Sequence, residues 1–173
     1  MNFRGVRAAY PGFGEASIVI TETSSAGVWA PRILSILRIV TAFLFMLHGS
    51  AKLLQLPATG HFAHLQFFSL LGLAGTLELV GGFLVLIGLF TRPIAFILSG
   101  EMAVAYFMAH APRSVFPVVN QGDAAVLFCF IFLYLAFAGG GPWSIDAWRR
   151  RARSANARSK TGTHHVFAGP ERS

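Results

Sequence analysis

From residue 33 onward the chain is a series of long apolar runs broken by short polar links. The runs cover about residues 33–54, 69–90, 94–111 and 123–139. A helix rises about 1.5 Å per residue and a bilayer's hydrocarbon core is about 30 Å thick, so about 20 residues cross it. The first two runs reach that length, and the other two need flanking residues to complete a crossing. Lipid offers no partner for a backbone amide, so the pattern predicts helices rather than open strands. The expected fold is an all-α membrane protein, a bundle of four transmembrane helices.

The links are readable too. Little more than Thr91-Arg92-Pro93 separates the second run from the third, and Pro93 suits the first turn of a new helix. That predicts a tight antiparallel hairpin. The link at about 55–68 is longer, and its GHFAHLQFF stretch fits a short helix lying at the interface. Pro112, Pro117 and Gly122 break the chain between the third and fourth runs. Residues 1–31 mix Gly, Pro, Ser and Thr with charges and keep no period. Their one apolar cluster, Ile18-Val19-Ile20, is too short for a signal-peptide core. The expected organisation is a weakly ordered tail over 1–31, a membrane domain over 32–147 and a basic tail over 148–173.

Composition narrows the class. Hydrophobic residues make up 54% of the chain and charged ones only 12%, well below the roughly 25% of soluble domains. A soluble fold of 173 residues has too little interior for 17 phenylalanines and so few charges. The partner of most of this surface is therefore the lipid bilayer. The net charge of +7 raises the question of nucleic acid, but seven of the 14 cations follow residue 148 and no nucleic-acid motif accompanies them. Basic residues flanking apolar spans mark the cytoplasmic side of a membrane. Arg32, Arg38, Arg92 and the cluster from Arg149 fall on one side of the four spans, with Lys52 and Arg113 on the other. Both termini and the Arg92 hairpin are thus expected in the cytoplasm. Ser144 is placed to cap a short amphipathic helix whose Arg149 and Arg150 meet the inner leaflet.

Ionisable groups inside the runs set the candidate chemistry, because each costs about 2.5–3.5 kcal/mol at the bilayer centre even on the lenient scale. Glu78 and Glu101 each lie nine residues from the outer end of their span, about 13 Å deep. His48 and Lys52 are four apart on one helix face. His110 and Asp123 lie near the same outer level. His48, Lys52, Glu78, Glu101, His110 and Asp123 together form a candidate polar intramembrane site. Two readings stand open. The groups can neutralise one another and fix the register of four helices, or they can line a pocket open to the outer side that binds a quinone head group or passes protons.

Other chemistries find little support. His61 and His64 lack a third nearby ligand, so no metal site is expected. His48 and His110 differ in depth by about 9 Å, which argues against their being a bis-histidine haem pair. Cys129, the one cysteine, excludes an internal disulfide or dithiol relay and reads as a small packing residue. The glycines of the second run suit close helix packing. His164 and His165 carry no assignment.

These features resemble the DoxX family of bacterial membrane proteins. The resemblance rests on His48-Gly49 with Lys52, on Glu78-Leu79-Val80-Gly81-Gly82, on Gly88-Leu89-Phe90-Thr91-Arg92, and on Gly139-Gly140-Gly141-Pro142-Trp143-Ser144-Ile145-Asp146. It covers about residues 32–147 and finds no match for Glu101. It implies a multi-pass protein of the bacterial cytoplasmic (inner) membrane. It also implies an accessory or scaffold subunit associated with oxidoreductases of a quinone-linked redox system, with other subunits of that system as partners. A small-solute transporter using the same polar cluster is the alternative. The sequence offers no nucleophile triad, dithiol or nucleotide loop, so catalysis by this chain alone is not expected.

Overall fold

The computed structural model describes residues 25–57 and 68–162. Within them the chain is helical: α1 (Ser25–Leu53), α2 (Leu70–Ile87), α3 (Thr91–His110), a short α4 (Pro117–Asn120), α5 (Asp123–Ala138) and α6 (Ile145–Gly162). Three of these, α1 to α3, are long and apolar enough to cross a membrane, and α5 is a shorter apolar helix. Together they form a helical membrane bundle. Helix α1 packs along α2, α3 packs along α5, and the core joins the two pairs.

The bundle is apolar outside and selectively polar inside. Leu44, Phe83, Phe96, Phe130 and Phe137 are exposed, whereas Arg38, Glu78, Thr91, Ser99 and Asn120 are buried. A water-soluble fold would reverse that distribution. The buried apolar layer is built from Ala42, Phe45, Val85, Leu98 and Phe132. Phe45 meets Phe132 edge-on with ring centroids 4.7 Å apart. This layer separates two polar levels, one around Arg38 and one around Glu78.

Helix α1 starts at Ser25, ahead of the boundary expected near Arg32. Pro31 stands inside it near the start, where it removes only the bond back to residue 27. Val28 and Trp29 extend the apolar face, and Arg32 lies over the Trp29 ring at 5.3 Å. The rest of the expected N-terminal tail, the GHFAHLQ part of the first link with His61 and His64, and His164 and His165 lie outside the described residues. At the other end Ser144 caps α6, accepting from the Ala147 amide at 3.1 Å. The basic segment after residue 148 is helical to Gly162.

Two helices contain a wider turn that the sequence did not announce, at Leu77–Gly81 in α2 and at Tyr106–His110 in α3. Here the bonds run five residues back instead of four, which rotates the following side chains and marks functional positions in many helices. Glu78 sits in the first of these turns.

Candidate functional site

The lower polar level is organised by Arg38. Its Nε donates to the Gly140 carbonyl at 2.8 Å, one terminal nitrogen donates to the Val85 carbonyl at 2.6 Å and to that of Leu86, and the other donates to the Trp143 carbonyl at 2.7 Å. Val85 and Leu86 belong to the last turn of α2, where carbonyls run short of helical partners, although that of Val85 also accepts from the Gly88 amide at 3.0 Å. A buried guanidinium is thereby neutralised by backbone dipoles, aided by the negative end of α2. Asp146 works from the other side of the turn. Its two oxygens accept from the Phe90 amide at 3.0 Å and the Thr91 amide at 2.9 Å, capping α3 from a remote position. Its own amide donates to the Gly88 carbonyl at 3.0 Å. Burial works to raise the Asp146 carboxyl, but the Thr91 and Phe90 amides and the charge of Arg150 outweigh it and hold the group below the ordinary aspartate value.

This level explains two of the motifs. Gly88 takes a φ of 71°, which its lack of a side chain permits, and turns α2 into α3. The Gly139–Ser144 loop folds over that turn so that its carbonyls reach Arg38. In the sequence Arg38 and Arg92 bear on orientation and Asp146 is only the last residue of a motif, so the clamp is not visible there. The available signal was an arginine inside an apolar run with no acidic residue one turn away.

The upper level holds Lys52, Glu78 and Glu101. Lys52 Nζ donates to Glu78 Oε1 at 2.5 Å, and the two side chains are 16% and 3% exposed. The pair forms because α1 and α2 nearly touch. A Cβ at Gly49 would lie 2.6 Å from the Leu79 nitrogen, and one at Gly75 would lie 3.1 Å from the Lys52 Cβ. Glu101 approaches from α3, close enough to feel the charges of both Glu78 and Lys52. Both Glu101 oxygens and Glu78 Oε2 are buried with no hydrogen-bond partner among the described residues.

The other three candidates are placed differently. His48 is exposed, and its ring meets Phe128 edge-on at 5.6 Å, although it still feels the Lys52 charge. His110 pairs through Nδ1 with the Asn120 carbonyl at 3.0 Å. Asp123 is exposed at the start of α5. The structure therefore brings Lys52, Glu78 and Glu101 together, leaves His48 at their margin, and gives His110 to the loop that precedes α5. No group of three or more metal-binding side chains occurs among the described residues.

No solved structure matches this chain. A protein of Haemophilus influenzae, described as "Uncharacterized protein", is 45% identical over 123 residues, covering 68% of this chain and 91% of that relative. The DoxX family model matches residues 33–111, which run from the start of the first apolar segment through Arg38, Lys52, Glu78 and Glu101 to the end of α3. On these grounds the chain belongs to the DoxX family.

Proposed function

We propose that this DoxX-family chain is an accessory subunit of a quinone-linked redox system in the bacterial cytoplasmic membrane. In this reading Lys52, Glu78 and Glu101 exchange protons with, or hydrogen-bond, a quinone head group used by that system. Both tails and the α2–α3 turn face the cytoplasm, and the three groups lie toward the outer side. The membrane unit runs from the start of α1 at Ser25 to about residue 147, with the residues before α1 and the basic segment from residue 148 as its flanks.

The observation that carries the reading is the shortage of partners at the upper level. Three carboxyl oxygens, one from Glu78 and two from Glu101, are buried and unpaired among the described residues. A purely structural cross-link would satisfy them, because a buried unpaired polar group costs about 1–3 kcal/mol. A proton on one carboxyl, together with a polar atom of a bound molecule, removes that cost. A protonated carboxyl is a donor that suits a quinone carbonyl, and Lys52 offers a partly exposed route for the proton from the surface. The electron transfer itself is assigned to a partner subunit.

The test pairs Glu78→Gln with Glu101→Gln in the complex that co-purifies in mild detergent. Both amides keep the shape and hydrogen-bonding ability of the acids but cannot titrate. The expected result is loss of quinone-dependent activity in both, with a near-native melting temperature for Glu101→Gln and a lowered but still cooperative one for Glu78→Gln, whose amide accepts from Lys52 without neutralising it. Full activity in well-folded Glu78→Gln and Glu101→Gln proteins would leave the cluster with a structural role only. Solute flux through liposomes containing the pure chain would favour transport instead.

A further inference from the structure

The geometry points to a second site at the opposite end of the bundle: a recess between the start of α3 and α6 that binds the phosphodiester of an anionic phospholipid. The recess has a volume of about 300 Å3, and its walls include Arg92, Arg149, Arg150, Arg153 and Asp146. Four guanidinium groups thus face one carboxylate. That carboxylate is already engaged, because both Asp146 oxygens accept from the Phe90 and Thr91 amides. Arg38 is not among the walls of the recess, and its guanidinium is turned to the carbonyls of Gly140, Val85, Leu86 and Trp143.

The arginines are presented rather than paired. All four are exposed, Arg150 acts on the Asp146 carboxylate, and among the described residues neither Arg92 nor Arg153 donates a side-chain hydrogen bond. Arg149 is steadied at 5.9 Å over the Phe90 ring. Arginine's planar fork matches two oxygens of a phosphate, and weak hydration of the guanidinium favours such pairing at an interface. Depth selects the source of the phosphate. The recess lies where α3 begins and α5 has just ended, with exposed Trp143 and Trp148 nearby in sequence at the level that interfacial aromatics prefer. A lipid head group occupies that level, and its acyl chains would run down the apolar flank formed by Pro93 and Ala138.

A recess differs from general attraction between a basic helix and an acidic leaflet. General attraction depends on how many cations are present, whereas a recess depends on which ones. Arg32 and Arg151 lie outside its walls, so their removal supplies a control of equal charge.

The experiment uses the full chain, delipidated in neutral detergent and titrated with dioctanoyl phosphatidylglycerol, with dioctanoyl phosphatidylcholine and inorganic phosphate as separate arms. Native mass spectrometry reads bound lipid, and tryptophan fluorescence gives the affinity. Phosphatidylglycerol is expected to bind saturably, about tenfold or more tighter than phosphatidylcholine, and to resist displacement by inorganic phosphate. Arg92→Gln/Arg153→Gln should weaken it about tenfold, and Arg32→Gln/Arg151→Gln less than threefold. A melting curve on each variant, and Arg153→Glu as a single exposed change, separate binding loss from misfolding. Equal weakening by the two double variants, no preference for phosphatidylglycerol, or equal competition by free phosphate would each overturn the proposal.

Discussion

Arg38 and Asp146 hold the same turn from opposite ends. Arg38 takes carbonyls at the end of α2, those of Val85 and Leu86, and Asp146 takes the amides of Phe90, just before α3, and Thr91, its first residue. Each is distant in sequence from the atoms it caps. The two also attract one another. The turn therefore needs no capping side chains of its own, and the loop carrying Gly140 and Trp143 is held by the same guanidinium.

The first prediction follows from the number of carbonyls that Arg38 satisfies. Arg38→Met would take this donor from the Leu86, Gly140 and Trp143 carbonyls while Val85 keeps the Gly88 amide, and a buried acceptor left unsatisfied costs about 1–3 kcal/mol. Arg38→Lys should rescue little, because an ammonium on a flexible stem cannot reach carbonyls on three sides. Detergent melting temperatures for both variants should fall well below that of the parent. A Lys variant with the parent's melting temperature would show that charge alone matters here.

Asp146 predicts a direction with pH. Its carboxyl is held below the ordinary value of 3.8, so the folded state prefers the ionised form. The stabilisation is therefore complete above about pH 5 and is lost as pH falls below the ordinary value and through the folded one. Asp146→Asn keeps one acceptor oxygen but turns an amide donor toward the Phe90 or Thr91 N–H. It should cost about 0.5–2 kcal/mol at neutral pH, as other cap losses do. The gap between the two proteins should narrow as pH falls toward 3. A constant gap from pH 7 to pH 3 would argue against the ionised cap.

How much of this was legible beforehand depends on the kind of signal. The four apolar segments could be read because lipid imposes the same demand on every residue along a span. Pro93 near the start of α3 and Ser144 before α6 could be read because caps are local. Arg38 bonding to Gly140 and Trp143 could not, since those partners lie 102 and 105 residues away. Spacing along a helix gave depth to the charged groups but not direction around the axis. Lys52 and Glu78 meet because Gly49 and Gly75 let two backbones approach, while His110 at a similar level turns to the Asn120 carbonyl. The wider turn carrying Glu78 has no residue-level signature in the sequence.

Close approach at Gly49 gives a steric prediction with an internal control. An added Cβ would lie 2.6 Å from the Leu79 nitrogen and 2.9 Å from the Gly75 carbonyl oxygen, both backbone atoms that cannot move aside. Gly49→Ala should cost about 1–3 kcal/mol by pushing α1 from α2. A Cβ at Gly100 meets nothing within 4 Å, so Gly100→Ala should hold or raise the melting temperature. Equal effects at the two positions would contradict the packing.

Orientation is tested with reporter fusions. Fusions after Arg92 and after Arg150 should report cytoplasm, and fusions near His61 and Pro117 the outer side, because arginines gather at one end of the bundle. A cytoplasmic signal at Pro117 would contradict a four-span arrangement.

The last prediction concerns the coupling of Lys52 to Glu78. The pair is largely buried, with Glu78 3% exposed and Lys52 16%. Lys52→Met leaves a buried carboxyl beside a second one, Glu101, with no cation between them. Glu78→Leu leaves an ammonium whose nearest remaining acid is Glu101. Breaking a buried pair by removing one partner costs about 3–5 kcal/mol, and the partial exposure of Lys52 places both losses at the lower end. Replacing both groups with apolar ones removes the unpaired charges together. The double variant Lys52→Met/Glu78→Leu should therefore be destabilised by much less than the sum of the single losses, with a coupling of about 1–3 kcal/mol. Denaturation in mixed micelles measures all four proteins of the cycle. Single losses that simply add would mean that the two side chains are solvated independently, and that the contact between α1 and α2 rests on the glycines alone.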